Sequence, residues 1–262
     1  MSSKREKELA RAKWERQQIR RTQRAQRDTA IKRGAVLAVA VLAVVALIIS
    51  NRSTSAPTAT PLQTSTPSMS QNSSGTGGCR QTSALSTQKM TYNTAPSAPN
   101  NAHTLNLGTN CGSIQIALDP KAPKTTTIMS NLAKAKYFDM TTCHRLTTSG
   151  YFVLQCGDRT ATGTGSPGFT FADENLPTVT ASNSTFTYAS GTVAMANSGP
   201  NTNGSQFFIV YRNSPLPPNY SIWGHVVRGL DVVTRIASAG VSGGGIDGKP
   251  NANVVIERAV AQ

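Results

Sequence analysis

The chain has 262 residues, four cysteines and a formal net charge of +14. That charge is lopsided: residues 1–34 hold 12 Lys/Arg against 4 Asp/Glu, whereas residues 101–262 hold 11 against 8. A near-balanced folded part argues against a nucleic-acid-binding face, and the uneven composition leaves a single stretch that reads as a domain.

In chain order, a basic segment over 1–33 comes first, followed by an apolar run from Ala35 to Ile49 that carries no polar residue. Lys32 and Arg33 precede the run and Arg52 follows it. Crossing about 30 Å of hydrocarbon takes roughly 20 helical residues, and the run with its snorkelling flanks supplies that length. The spacing predicts a single transmembrane helix over 34–51 rather than a cleaved signal, because the charged stretch before it is long and Pro57 spoils the cleavage context. Lys/Arg crowd the N-terminal side, so residues 1–33 are expected in the cytoplasm and the rest outside a bacterial cell membrane.

Residues 53–78 contain no charge, and 13 of the 26 are Ser or Thr. Such a segment has no apolar pattern to offset chain entropy, so 52–100 reads as a flexible linker and 101–262 as the domain. Cys79, Cys111, Cys143 and Cys156 then lie outside the membrane, where disulfides persist. No pair of them has zinc-ribbon spacing, and no metal is expected. Cys143 and Cys156 flank a presumed hairpin, which predicts a bond between them; a second bond, Cys79 to Cys111, is also expected and would pin the linker to the domain.

Within the domain, Ile114, Ile116 and Leu118 alternate with polar residues, and similar strand-like stretches cover 142–147, 152–157, 191–197, 206–210, 222–227 and 253–259. Helical spacing occurs after Pro123, through Ile128, Met129, Leu132 and Ala133, and again over Leu230, Val233, Ile236 and Ala237 before Gly240. The pattern suits a mainly β fold, a closed antiparallel barrel capped by two α-helices, although alternation alone leaves a sandwich open.

Two motif strings mislead. Gly163 to Gly168 matches G-x-G-x-x-G, but Pro167 and the β-like 169–171 follow where a nucleotide site needs a helix. Gly240 to Gly244 matches a nucleophile elbow, yet Gly245 follows and no histidine lies C-terminal to Ser242.

A third string differs in kind. His144-Arg145-Leu146, then YFVLQCGD over 151–158, then GTVAMANSGPNTNGSQFF over 191–208 resemble the cyclophilin signature, from about residue 102 to the end. The likeness is strongest to membrane-anchored cyclophilins of actinobacteria. It implies an eight-stranded barrel and peptidyl-prolyl cis/trans isomerase activity, with Arg145 as the catalytic residue. It assigns the proline pocket to Phe152, Val153, Phe208 and Leu216, the peptide-backbone groove to Gln155, Ala196, Asn197, Ser198 and Gln206, and a further pocket position to Tyr220, where many relatives have histidine. The sequence departs from the family in three further places. One extra residue stands between Arg145 and Phe152, Val153 replaces a common methionine, and Pro215 replaces an aromatic residue, so cyclosporin-type ligands are expected to bind weakly.

The chemistry fits these residue types. An X-Pro bond has a rotation barrier of about 18–20 kcal/mol because nitrogen lone-pair resonance keeps it planar. Catalysis needs a donor for the prolyl nitrogen as conjugation is lost and an apolar slot for the ring, but neither cofactor nor proton transfer. Read without the resemblance, Arg145 would be an ordinary solvated or ion-paired strand residue and Phe152, Phe208 and Leu216 ordinary core. The implied partners are proline-containing polypeptides, exported or of the cell envelope. The competing expectation is a non-catalytic proline-peptide-binding chaperone or interaction module of the same fold.

Overall fold

The computed structural model describes residues 76–82, 85–86, 90–99, 101–179 and 185–262. The basic segment, the expected transmembrane helix and the linker up to residue 75 lie outside the described residues. Among those described, no helix is long and apolar enough to cross a membrane.

The domain opens with a hairpin. β1 (Thr104–Thr109) and β2 (Gly112–Leu118) pair with Leu105 opposite Ile116 and Leu107 opposite Ile114, so their alternate positions face one core. α1 (Pro123–Lys134) follows, with proline in its first turn. Ala122 offers no capping side chain; instead the distant Glu174 carboxylate accepts the N–H groups of Lys124 and Thr125 at 3.1 and 2.8 Å. A carboxylate at that end satisfies orphan donors and complements the helix dipole.

The remaining strands are β3 (Thr141–Thr142), β4 (Arg145–Thr147), β5 (Phe152–Cys156), β6 (Phe186–Tyr188), β7 (Thr192–Met195), β8 (Phe207–Arg212), β9 (Ser214–Leu216), β10 (Ile222–Arg228), β11 (Asp247–Gly248) and β12 (Val255–Ala261). α2 (Leu230–Ser238) lies between β10 and β11. Ten strands form one sheet in the order β11-β4-β5-β8-β7-β10-β2-β1-β12-β3, and β6 pairs with β9 apart from it. β3 ends that order while β4 lies near its other end, yet only Cys143 and His144 separate them in the chain. Cys143 N–H donates to Val254 and His144 N–H to Gln155, so the sheet curls back on itself.

The mainly β fold with two helices is as expected; the strand count differs from eight. The stretch expected over 142–147 is broken at Cys143 and His144, whose N–H groups serve different neighbours. β6, β9 and β11 are three residues or fewer, too short to leave an alternation pattern.

Inside the curl, Trp223, Phe207 and Phe138 are fully buried and meet edge to face, Phe207 to Trp223 at 5.7 Å and to Phe138 at 5.9 Å. This is the geometry aromatic quadrupoles favour.

Residues 76–99, assigned by sequence to the linker, are held against the domain wherever they are described. Cys79 is bonded to Cys111, and Cys143 to Cys156. Arg80 pairs with Glu257 at 2.8 Å, Tyr92 N–H donates to Pro167 at 2.8 Å, and the Asn131 amide donates to Pro96 and Ala98. Met90, Tyr92 and Ala95 pack on the core. We call this segment the strap.

Candidate active site

Strand parity builds the site. Along β8, Phe207 and Ile209 point into the main core, whereas Phe208 and Val210 join a second apolar cluster with Val153, Tyr188, Ala194 and Leu216. Both faces are buried, and the second carries a surface cavity of about 280 Å³. Val153, Phe208, Leu216, Pro217, Tyr151 and Tyr220 line its apolar part, with Arg145, Gln155, Ala196 and Asn197 around it. Phe208 and Tyr220 meet edge to face at 5.3 Å, and burial raises the Tyr220 pKa, so its phenol stays neutral.

Arg145 is fixed on every side but one. Its Nε and Nη2 donate to the two Asp247 oxygens at 2.7 Å each, Nη2 also to the Tyr151 hydroxyl at 2.7 Å, and Nη1 to Gln155 Oε1 at 3.3 Å. The hydrogen bonds to Asp247 push its pKa further up against the effect of burial, so the guanidinium remains charged. Of its five N–H groups four are engaged, which leaves one on Nη1 without a partner among the described residues.

The polar contacts continue along the groove. Gln155 Nε2 donates to Gln206 Oε1 at 2.8 Å, and Gln206 Nε2 to the carbonyls of Gly163 and Gly165. Gln155, Ala196, Asn197, Ser198 and Gln206 border a second cavity of about 340 Å³, walled by residues 163–167 and Phe169. The Asn197 side chain is oriented by donating to the Asn219 carbonyl and accepting from the Gly199 N–H.

Asp158 organises that wall. Its fully buried carboxylate accepts from the Thr160 hydroxyl and from the N–H groups of Thr160, Gly163 and Gly165. Burial alone would raise its pKa, but those hydrogen bonds outweigh it and hold the carboxyl below its ordinary value. A Cβ on Gly165 would collide with this carboxylate, so Gly163 and Gly165 of the false dinucleotide motif serve the Asp158 turn, while Gly168 makes room for Thr91 and Tyr92. His144 lies close by: burial lowers its pKa against the opposing effect of the Asp158 carboxylate, with Arg145 adding to the lowering, and both ring nitrogens are buried without a hydrogen-bond partner among the described residues.

Arg145, Val153, Phe208, Leu216 and Tyr220 thus share the first cavity, Ser198 and Gln206 border only the second, and Gln155, Ala196 and Asn197 border both. Phe152 is brought to neither. The β5–β8 register shifts between Phe152 and Val153, and the Phe152 ring lies under Arg212 at 3.4 Å. Tyr151 occupies the cavity instead. The extra residue before Phe152 was the only sequence signal of this bulge. Asp247 and Pro217 were also missed; Asp247 sits 102 positions from Arg145, beyond any local pattern. Pro215 is exposed and pairs with Thr187 across β9 and β6.

The profile of the family described as "Cyclophilin type peptidyl-prolyl cis-trans isomerase/CLD" matches residues 104–261. The chain belongs to the cyclophilin family. Among similar cyclophilins, the "Probable peptidyl-prolyl cis-trans isomerase B" of Mycobacterium tuberculosis is 50% identical over 157 residues, covering 56% of this chain and 51% of that one. Its namesake in Mycobacterium leprae is 45% identical over 159 residues, covering 58% and 54%. The chain thus spans about half the length of the curated relatives it matches. A cyclophilin-type isomerase of Cryptosporidium parvum, crystallised in the presence of the dipeptide Ala-Pro, aligns with a TM-score of 0.50 at 28% identity, covering 61% of this chain and 98% of that one.

Proposed function

We propose that the domain is a peptidyl-prolyl cis/trans isomerase whose catalytic group is Arg145. One observation carries the reading: a guanidinium held on three sides, with one N–H left without a partner among the described residues, stands beside a cavity of about 280 Å³ whose apolar part is lined by Val153, Phe208, Leu216 and Tyr220. A proline ring enters between Val153, Phe208, Leu216 and Tyr220. As the X-Pro bond twists, the prolyl nitrogen gains a localised lone pair, and the remaining Nη1–H donates to it. Because the two Asp247 oxygens and Gln155 already fix the guanidinium, little reorganisation is needed when the charge develops. Gln155, Gln206 and Asn197 hold the flanking peptide in register, and Ala196 and Ser198 line its path. No proton moves, so His144 is packing and Asp158 scaffolding. Family membership and the relative crystallised with Ala-Pro support a proline-containing polypeptide as substrate.

The same proposal places the enzyme on the outer face of a bacterial membrane, anchored through 34–51 and acting on exported or envelope chains. The apolar run, the Lys/Arg imbalance and the two disulfides support that reading. Protease added to intact spheroplasts should remove the domain and spare the N-terminal tail.

The activity is tested by a protease-coupled assay on the purified full-length chain with X-Pro peptides. Acceleration of the cis-to-trans step is expected. Peptide binding without turnover would favour the chaperone reading.

A further inference from the structure

Tyr151 has no counterpart in the residues the family likeness assigns, yet it stands in the cavity where Phe152 was expected. An apolar slot needs only the ring, so the hydroxyl requires its own account. The oxygen accepts a hydrogen bond from Arg145 Nη2 at 2.7 Å, while the O–H finds no acceptor among the described residues. A phenol that accepts from a cation is polarised toward donating, and hydrogen bonds in such a chain reinforce one another.

Substrate chemistry says what it meets. Proline has no N–H, so the reacting residue offers acceptors only, its ring nitrogen and its carbonyl oxygen. A pocket that grips it must supply donors. Arg145 has one N–H left, on Nη1, and Tyr151 has one O–H, on the oxygen bound to Nη2: two unspent donors lining the same cavity for two acceptors of one residue.

We propose that Tyr151 is a second substrate donor in the groove, giving its O–H to the carbonyl oxygen of the bound proline while Arg145 serves the prolyl nitrogen. The inference rests on the isomerase reading. Rotation occurs about the bond before proline, so the ring and its carbonyl form the stationary half. A hydrogen bond to that half is made alike in the ground and transition states and contributes uniform binding rather than acceleration.

The test uses Tyr151→Phe in the full-length protein, which keeps the ring and removes only the hydroxyl; an unchanged melting temperature verifies folding. KM for an X-Pro peptide should rise about three- to tenfold, the worth of one net hydrogen bond, with kcat within twofold. A second substrate, ending in a pyrrolidide in place of proline, lacks the carbonyl, and wild type and variant should handle it equally. If the hydroxyl only oriented Arg145, kcat would fall at constant KM; that result overturns the proposal, as does a KM defect that persists with the pyrrolidide. Should the wild-type protein turn over no X-Pro peptide, the isomerase reading fails separately, and calorimetric affinities of the two peptides for the two proteins still decide the donor.

Discussion

The groove around Arg145 and the strap over 76–99 are both attached to the curled sheet, but by opposite means. In the groove, Arg145, Val153, Gln155, Phe208 and Leu216 are placed by ladder register, and neighbours such as Phe208 and Tyr220 are packed on several sides. Among its described residues the strap contributes no β-strand; it is held by the Cys79–Cys111 disulfide, the Arg80–Glu257 ion pair and scattered hydrogen bonds, with Met90, Tyr92 and Ala95 packed on the core. Cooperative packing makes the groove hard to alter without loss of fold, whereas the strap's attachments are separable. Variants should therefore act on one region and leave the other, and the comparison breaks if they do not.

The largest effect belongs to Arg145. Arg145→Ala should lower kcat/KM by about 10²- to 10³-fold, as for other preorganised donors, with a much smaller loss of peptide affinity by calorimetry. Arg145→Lys should restore little, since one ammonium cannot hold Asp247, Tyr151 and Gln155 together. Phe208→Ala removes the cavity wall, so affinity and turnover should fall together. It should also destabilise the fold by about 3–5 kcal/mol in a denaturant titration.

The disulfides sharpen the contrast. They close segments with sequence separations of 13 and 32, each worth about 3 kcal/mol or somewhat more by loop entropy. Replacing Cys143 and Cys156 by Ser should lower the melting temperature and activity together, because that bond ties the chain just before β4 to the end of β5. Replacing Cys79 and Cys111 should speed amide exchange at Arg80 while kcat/KM stays within twofold.

Acid should act on the groove side through two buried groups. The folded His144 pKa lies below its ordinary 6.5, so in the window beneath 6.5 the unfolded chain takes up a proton that the folded one refuses. Stability, complete above that pH, should fall as pH drops toward the folded value, and His144→Leu should flatten the slope of melting temperature against pH. Asp158, depressed below 3.8, adds a second loss as pH falls through its own folded value. The smallest effect concerns Pro215, whose exposed ring offers no indole donor; cyclosporin-type ligands should bind weakly, and Pro215→Trp should improve affinity measurably by calorimetry.

The same contrast governs what could be read from the sequence. Val153 and Phe208 fall inside the signature blocks and Leu216 follows from the family likeness, so their sharing of a cavity was legible. Tyr151 was not, because a bulge between Phe152 and Val153 resets parity and only the extra residue hinted at it. The pairing of Arg145 with Asp247 spans most of the domain and depends on β11, which is too short to show any period. The strap was invisible for another reason: its apolar residues are isolated among Ser, Thr and Pro, and nothing periodic marks a segment held by single contacts.

Asp247 has one more consequence. With its two oxygens 2.7 Å from the guanidinium, Arg145 presents a dipole rather than a net charge to solvent, and its field fades within a short distance. Arg145 therefore adds little long-range pull on an approaching polypeptide, and charge steering toward the groove falls to the other residues of a domain that holds 11 Lys/Arg against 8 Asp/Glu over 101–262.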